Sequence, residues 1–105
     1  SHPTGRILLA RNEYELDLYE VIDAAAQLGK IIEINADPHR LDLDWRYLKY
    51  AKEKGLLVSI NPDAHNIEGL HNIVYGIGIA RKGWLESHNV INAKSHTELI
   101  KYFKV

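Results

Sequence analysis

Apolar residues recur along this chain at two alternating periods, and the alternation predicts its elements. From Leu16 to Leu28, Leu18, Val21, Ile22, Ala25 and Leu28 fall at helical spacing, and Gly29 ends the pattern. Ile31 to Ile34 follows as a short β-branched run closed by Asn35-Ala36-Asp37-Pro38, which reads as a buried strand. Asp44 is suited to cap a second helix in which Trp45, Leu48, Ala51 and Lys52 recur at spacings of three and four before Gly55. Leu56 to Ile60 predicts the second strand. A third helical stretch runs from Ile67 or Gly69 to Arg81, with Gly76 and Gly78 lowering its propensity and expected to permit close packing. Ser95-His96-Thr97-Glu98 has the form of a capping box and opens a last helix bearing Leu99, Ile100, Tyr102 and Phe103. Ile7 to Ala10 is a candidate initial strand.

Helices and strands in strict succession imply βαβ units, whose crossovers make the strands parallel. Two or three strands are few for such a fold, because parallel sheets need cover on both faces and closed barrels need about eight strands. The expected fold class is therefore α/β, with residues 1–105 forming one incomplete domain, part of a barrel.

Composition narrows the chemistry. At 105 residues and 46% hydrophobic content the chain can bury one core, and no second domain fits. The absence of cysteine excludes disulfides and thiolate ligands, so any metal would be held by nitrogen and oxygen. A formal net charge of −1 supplies no global field for polyanions, so contact with nucleic acid would need a local basic patch or bound cations. Arg81-Lys82-Gly83-Trp84 is the candidate patch that pairs basic with aromatic residues, and its plainer reading is a helix C-terminus with dipole-compensating cations before a terminating glycine. With no basic leader and no apolar run near roughly 18 residues, a cytoplasmic chain without membrane contact is expected.

The chemistry-bearing residues cluster after the predicted strands. Asp63-Ala64-His65 follows the run Leu56-Leu57-Val58-Ser59-Ile60. Side chains at i and i+2 of an extended segment share a face, so Asp63 and His65 are suited to a divalent cation; a surface turn begun by Pro62 and Asp63 explains the spacing equally well. In parallel α/β folds that edge is where ligands bind. Glu33, between Ile32 and Ile34, puts a carboxylate in a strand that otherwise reads as buried, which costs energy unless it is paired with Arg6 or Arg40 or lies near a cation. Asn35, Arg40 and Asn61 are suited to orient a phosphate or a ligand, or simply to form turns. His39, His71, His88 and His96 sit in contexts that suit exposure, and His2 lies at the terminus, where fraying is the ordinary expectation.

Five stretches carry a family resemblance: His2-Pro3-Thr4-Gly5-Arg6, Glu33-Ile34-Asn35-Ala36, Pro38-x-Arg40-Leu41-Asp42-Leu43, Asn61-Pro62-Asp63-Ala64-His65, and Tyr75-Gly76-x-Gly78-x-Ala80-Arg81-Lys82-Gly83-Trp84-Leu85. Together they closely resemble the C-terminal part of the PHP (polymerase and histidinol phosphatase) domain, above all that of bacterial family X DNA polymerases. The resemblance implies a partial (β/α)7 PHP-type barrel whose strand ends gather histidines and acids around metals, usually manganese or zinc, to hydrolyse phosphate esters. In family X it implies a manganese-dependent 3′–5′ exonuclease that processes 3′ ends during DNA repair.

By motif match, His2, Asp63 and His65 are the implied metal ligands, and the opening His-x-His motif, a middle histidine and an acidic ligand of the family are absent from this chain. Arg6 and Arg40 are expected to contact phosphate, with Glu33 and Asn35 in supporting positions. The chain alone is expected to bind metal weakly and to lack meaningful exonuclease activity, since its partners would be the rest of the barrel, the polymerase domains and DNA. An open barrel edge favours homo-oligomers. The alternatives are a small-molecule phosphatase of the histidinol-phosphatase type and a non-catalytic PHP remnant serving as a structural or docking module.

Overall fold

The structure is a computed structural model and describes residues 1–9 and 17–104. In chain order its elements are α1 (Leu18–Gln27), β1 (Ile31–Asn35), a 3₁₀ turn (Trp45–Tyr47) running into α2 (Leu48–Glu53), and β2 (Leu57–Asn61). A 3₁₀ stretch (Glu68–Asn72) then runs into α3 (Ile73–Lys82), followed by 3₁₀ turns at Ser87–Asn89 and Ile91–Ala93 and by α4 (His96–Phe103). The arrangement is mixed α/β. β1 and β2 pair in parallel, from Ile31 opposite Leu57 to Asn35 opposite Asn61.

The period-two pattern of both strands sorts their side chains between two unlike faces. Ile34, Val58 and Ile60 join Leu18 and Ile22 of α1, Leu48 and Ala51 of α2 and Ala80 of α3 in one buried cluster. Glu33 and Asn35, opposite Ser59 and Asn61, occupy the other face. Apolar burial holds the helices to one side, at about 1.5–3 kcal/mol for each large side chain fully removed from water. The polar side is left for chemistry. α3 comes very close to the strands at Gly76, where a Cβ would lie 2.4 Å from Ile60 Cγ2 and 2.7 Å from Ala36 Cβ. A Cβ at Gly78 would meet nothing within 4 Å among the described residues, so the close packing they show is at Gly76.

Beyond β2 the sheet continues only in outline. Val58 bridges Val90 in parallel. Next to it the Asn92 carboxamide stands in for a strand residue, accepting from Ile60 N at 2.8 Å and donating to Ile60 O at 2.9 Å.

α1, α2 and α3 end alike. In each, the amide two residues past the last helical turn's cap returns to a carbonyl five residues back: Lys30 to Ala25 at 2.8 Å, Leu56 to Ala51 at 3.0 Å and Leu85 to Ala80 at 3.0 Å. The residue between is left-handed, and it is Gly29 (φ 64°) in the first, Gly55 (φ 73°) in the second and Trp84 (φ 67°) in the third. Glycine is the ordinary solution at such a position.

Several boundaries differ from the sequence expectation for local reasons. α1 begins at Leu18 because the Asp17 carboxylate accepts from the Tyr19 and Glu20 amides; Leu16 lies outside the described residues. The second and third predicted helices each open with a 3₁₀ turn. The initial strand predicted at Ile7 to Ala10 is not a strand over its described part: Leu8 and Leu9 form a turn, Leu9 is left-handed (φ 65°), and the Leu8 amide donates to the loop carbonyl of His39. Ala10 lies outside the described residues. Ser95 caps α4 in the reciprocal manner its sequence predicted, exchanging bonds with Glu98. Among the described residues no helix is long and apolar enough to cross a membrane.

Candidate functional site

The polar face of the sheet is a connected network. Asn61 Nδ2 donates to Glu33 Oε2 at 2.8 Å and to Ser59 Oγ at 3.2 Å, and the His2 backbone amide donates to Glu33 Oε1 at 3.1 Å. Both oxygens of Glu33 are therefore occupied by neutral donors, and the ion pair to Arg6 or Arg40 weighed from the sequence is not formed. Asn35, wholly buried, donates through Nδ2 to Asp63 Oδ2 at 3.1 Å and accepts from the Asp37 amide at 3.0 Å. The two asparagines thus hold the two carboxylates of the strand ends.

Asp63 and His65 are brought together, by a route other than the extended segment the spacing suggested. Asp63 has a left-handed φ of 55°, a conformation Asp tolerates better than most residues, so the i and i+2 alternation does not apply. Instead the backbone turns and His65 Nδ1 meets the Asp63 carbonyl at 2.8 Å. A carbonyl only accepts, so Nδ1 carries the hydrogen and Nε2 of the neutral ring keeps its lone pair. His65 is exposed. Asp63 Oδ2 also lies 3.9 Å from Arg40 Nε, while its Oδ1 takes no protein hydrogen bond among the described residues.

The two arginines do different work. Arg6 donates through Nε to Arg40 O at 2.9 Å, through Nη1 to Asp44 Oδ2 at 2.9 Å, and through Nη2 to Leu41 O. Its guanidinium clamps the loop 40–44. Asp44 is also gripped by the Arg46 side chain at 2.9 and 3.0 Å and caps the Arg46 amide at 2.9 Å. Those Arg46 side-chain bonds, together with the Arg46 amide and Arg6, outweigh the effect of burial and hold the Asp44 carboxyl well below the usual carboxylate range. Arg40 spends Nη1 on Gly5 O at 3.4 Å and Arg6 O at 3.3 Å, and is the arginine that reaches Asp63.

One buried carboxylate, to which sequence reasoning assigned no role, joins these parts. Asp42 Oδ2 accepts from Thr4 N at 2.9 Å and from Thr4 Oγ1 at 2.8 Å, both residues being almost fully buried. Thr4 belongs to the turn closed by Gly5 N to His2 O at 3.0 Å, which carries His2 over to Glu33. The Asp42 backbone bridges Asn35, whose side chain holds Asp63. Asp42 Oδ1 is buried without a partner among the described residues. No spacing rule points to this contact, because Thr4 and Asp42 are 38 positions apart.

Two short-range groups result: His2 with Glu33, and Asp63 with His65, linked through the adjacent Asn61 and Asn35. Among the described residues no group of three or more histidines, cysteines or acids is drawn close enough to hold a metal ion. The donor set is nitrogen and oxygen, with one lone pair on His65 and one free oxygen on Asp63; it fits a share of a cation site and is too small to hold the ion alone.

No family model matches the chain. Over 104 residues, 99% of its length, it is 43% identical to the DNA polymerase/3′–5′ exonuclease PolX of Bacillus subtilis (strain 168), of which it spans 18%. The similarity covers the His2 turn, both strands and the loop that bears Asp63 and His65. At that identity along nearly its whole length, the chain is a segment related to the PolX-type, family X DNA polymerase/3′–5′ exonucleases.

Proposed function

We propose that this chain is the C-terminal part of a PHP-type, metal-dependent phosphoesterase domain that serves a longer family X DNA polymerase as its 3′–5′ exonuclease and 3′-end processing unit, acting on DNA in the cytoplasm. The observation that supports it most directly is the His65 bond to the Asp63 carbonyl, which leaves Nε2 available two residues along the chain from a carboxylate with a free oxygen. The relative's name supplies both the polymerase and the exonuclease reading.

In this reading His2, Asp63 and His65 would hold manganese or zinc, the other ligands coming from parts of the protein beyond this segment. When bound, a divalent cation supplies Lewis acidity that offsets charge on the phosphodiester oxygens and eases deprotonation of the attacking water. Asp63 contributes negative charge, and neutral imidazole nitrogens favour manganese or zinc over magnesium. Asn35 fixes the direction of the Asp63 carboxylate through its 3.1 Å bond, and Asn61 does the same for Glu33. Arg40, which already spans from the His2 turn to Asp63, brings a guanidinium to where a phosphate would lie. Arg6 keeps the loop beneath them in place. The polar sheet face becomes the interior of a (β/α)7 barrel of which residues 1–105 are one piece.

Manganese titration followed by thermal unfolding tests this. A ligand that binds only the folded chain raises its stability by mass action. The expected result is a small upward shift in the parent chain that disappears in both Asp63→Ala and His65→Ala. An equal shift in parent and variants would remove Asp63 and His65 from the proposed site, whereas none in the parent would mean that the site forms only with the ligands from beyond this segment.

A further inference from the structure

Trp84 breaks the rule that its own fold follows. At the equivalent helix ends α1 and α2 use Gly29 and Gly55, whereas α3 places a tryptophan in the left-handed position. That backbone state disfavours any residue with a Cβ. The ring gains no burial in exchange, being 76% exposed. A large flat aromatic held out of the core, in a conformation that resists it, is in place for an outside partner.

The surroundings give that partner a charge. Lys49, Lys52, Glu53 and Trp84 line one open pocket. Lys52 Nζ fixes the segment by donating to the Trp84 carbonyl at 3.0 Å, and lies 3.7 Å from Glu86. Neither Lys49 nor Lys82 has a carboxylate within ion-pair distance among the described residues. Alongside, Lys82 Nζ stands 4.7 Å from the centre of the Trp45 ring. Against Glu53 and Glu86 stand Lys49, Lys52 and Lys82, so this face is net positive on a chain whose formal charge is −1. Lysines suit phosphates as point charges, and an indole face suits a nucleobase. A duplex hides its base faces within the stack, and a single strand offers them.

We propose that the Trp84 pocket is a contact for single-stranded DNA, in which a base stacks on the indole and the flanking phosphates meet Lys49 and Lys82. It rests on reading the chain as part of a DNA-processing enzyme, and it is separate from the Asp63 and His65 edge. The site belongs to the outer surface where α3 ends, against α2.

The test is fluorescence anisotropy of a labelled oligothymidylate titrated with the 105-residue chain in EDTA, so that no cation contributes and the outcome is independent of the manganese titration. Trp84→Gly installs the residue that α1 and α2 already use, so it should fold at least as stably as the parent. We expect it to weaken oligothymidylate binding by about 5- to 150-fold, the range of one base stack, with an unchanged or higher Tm. An abasic oligomer of the same length should bind the parent as poorly as oligothymidylate binds the variant. Lys49→Gln should reduce the slope of log K against log salt by about 0.7. The proposal is overturned if the parent does not bind the oligomer, if Trp84→Gly binds it equally well, or if the abasic oligomer or polyglutamate binds the parent as tightly.

Discussion

The two glycines within α3 make opposite predictions when each is replaced by alanine. Alanine is about 1 kcal/mol better than glycine inside a helix, so an unobstructed substitution stabilises by roughly that amount. Among the described residues Gly78 has nothing within 4 Å of where its Cβ would lie, and Gly78→Ala should realise the whole gain. Gly76 earns the same propensity term and meets a wall. Its Cβ would sit 2.4 Å from Ile60 Cγ2 and 2.7 Å from Ala36 Cβ, both far inside the 3.5–4.0 Å of an ordinary carbon contact. Ala36 has no rotamer to change and Ile60 is packed in the core, so relief requires moving α3 off the strands. Overpacking of this kind costs about 1–3 kcal/mol, and with two clashes the upper end applies, leaving Gly76→Ala about 2 kcal/mol less stable than the parent. The two variants should then differ by about 3 kcal/mol. Urea denaturation reads this directly as opposite shifts in midpoint at constant m-value. Should both variants shift the same way, or differ by less than about 1 kcal/mol, the close seating of α3 on β1 and β2 would be wrong.

Three further outcomes follow from single contacts. Thr4→Val keeps the shape of Thr4 and deletes its bond to buried Asp42, so it should cost about 1–3 kcal/mol in chemical denaturation while Thr4→Ser costs much less. Asn92→Ala removes both bonds to Ile60 at the edge of β2 and should cost about 1 kcal/mol, with faster amide hydrogen exchange at Ile60 as the local signature. Asp44 has a folded-state pKa below its unfolded value, so the unfolded chain takes up the proton first: its contribution is fully present above the ordinary carboxylate range near pH 4 and is lost as pH falls through and below it. Asp44→Asn should therefore flatten the fall of Tm between about pH 5 and 2, and an unchanged slope would contradict the Arg46 and Arg6 pairing as its cause.

Much of the fold was legible because helices and strands answer to local rules. The spacing of Leu18, Val21, Ile22 and Ala25, the β-branched runs and the Ser95 capping box each depend on residues within a turn or two of one another, and each predicted element from α1 onward formed. The alternation Glu33, Asn35 and Ser59, Asn61 likewise made one face of the sheet polar before any pairing was known, since the strand period is two. Even the nearness of Asp63 and His65 was readable, although its cause was a left-handed turn and not an extended segment.

Tertiary structure decided everything that depends on distant partners. Glu33 is held by Asn61, 28 positions away, and Arg6 is paired with Asp44, 38 positions away. Asp42 and Thr4 are likewise 38 positions apart, and no period of 2 or 3.6 residues relates them. Gly76 and Gly78 are alike in sequence and differ only in which side of α3 meets the strands. Trp84 reads along the chain as the tail of a helix, and becomes an exception only when its backbone angle is set beside those of Gly29 and Gly55. Local pattern fixes an element because its energy is summed over neighbours, whereas a site is assembled by the packing that brings separate elements together.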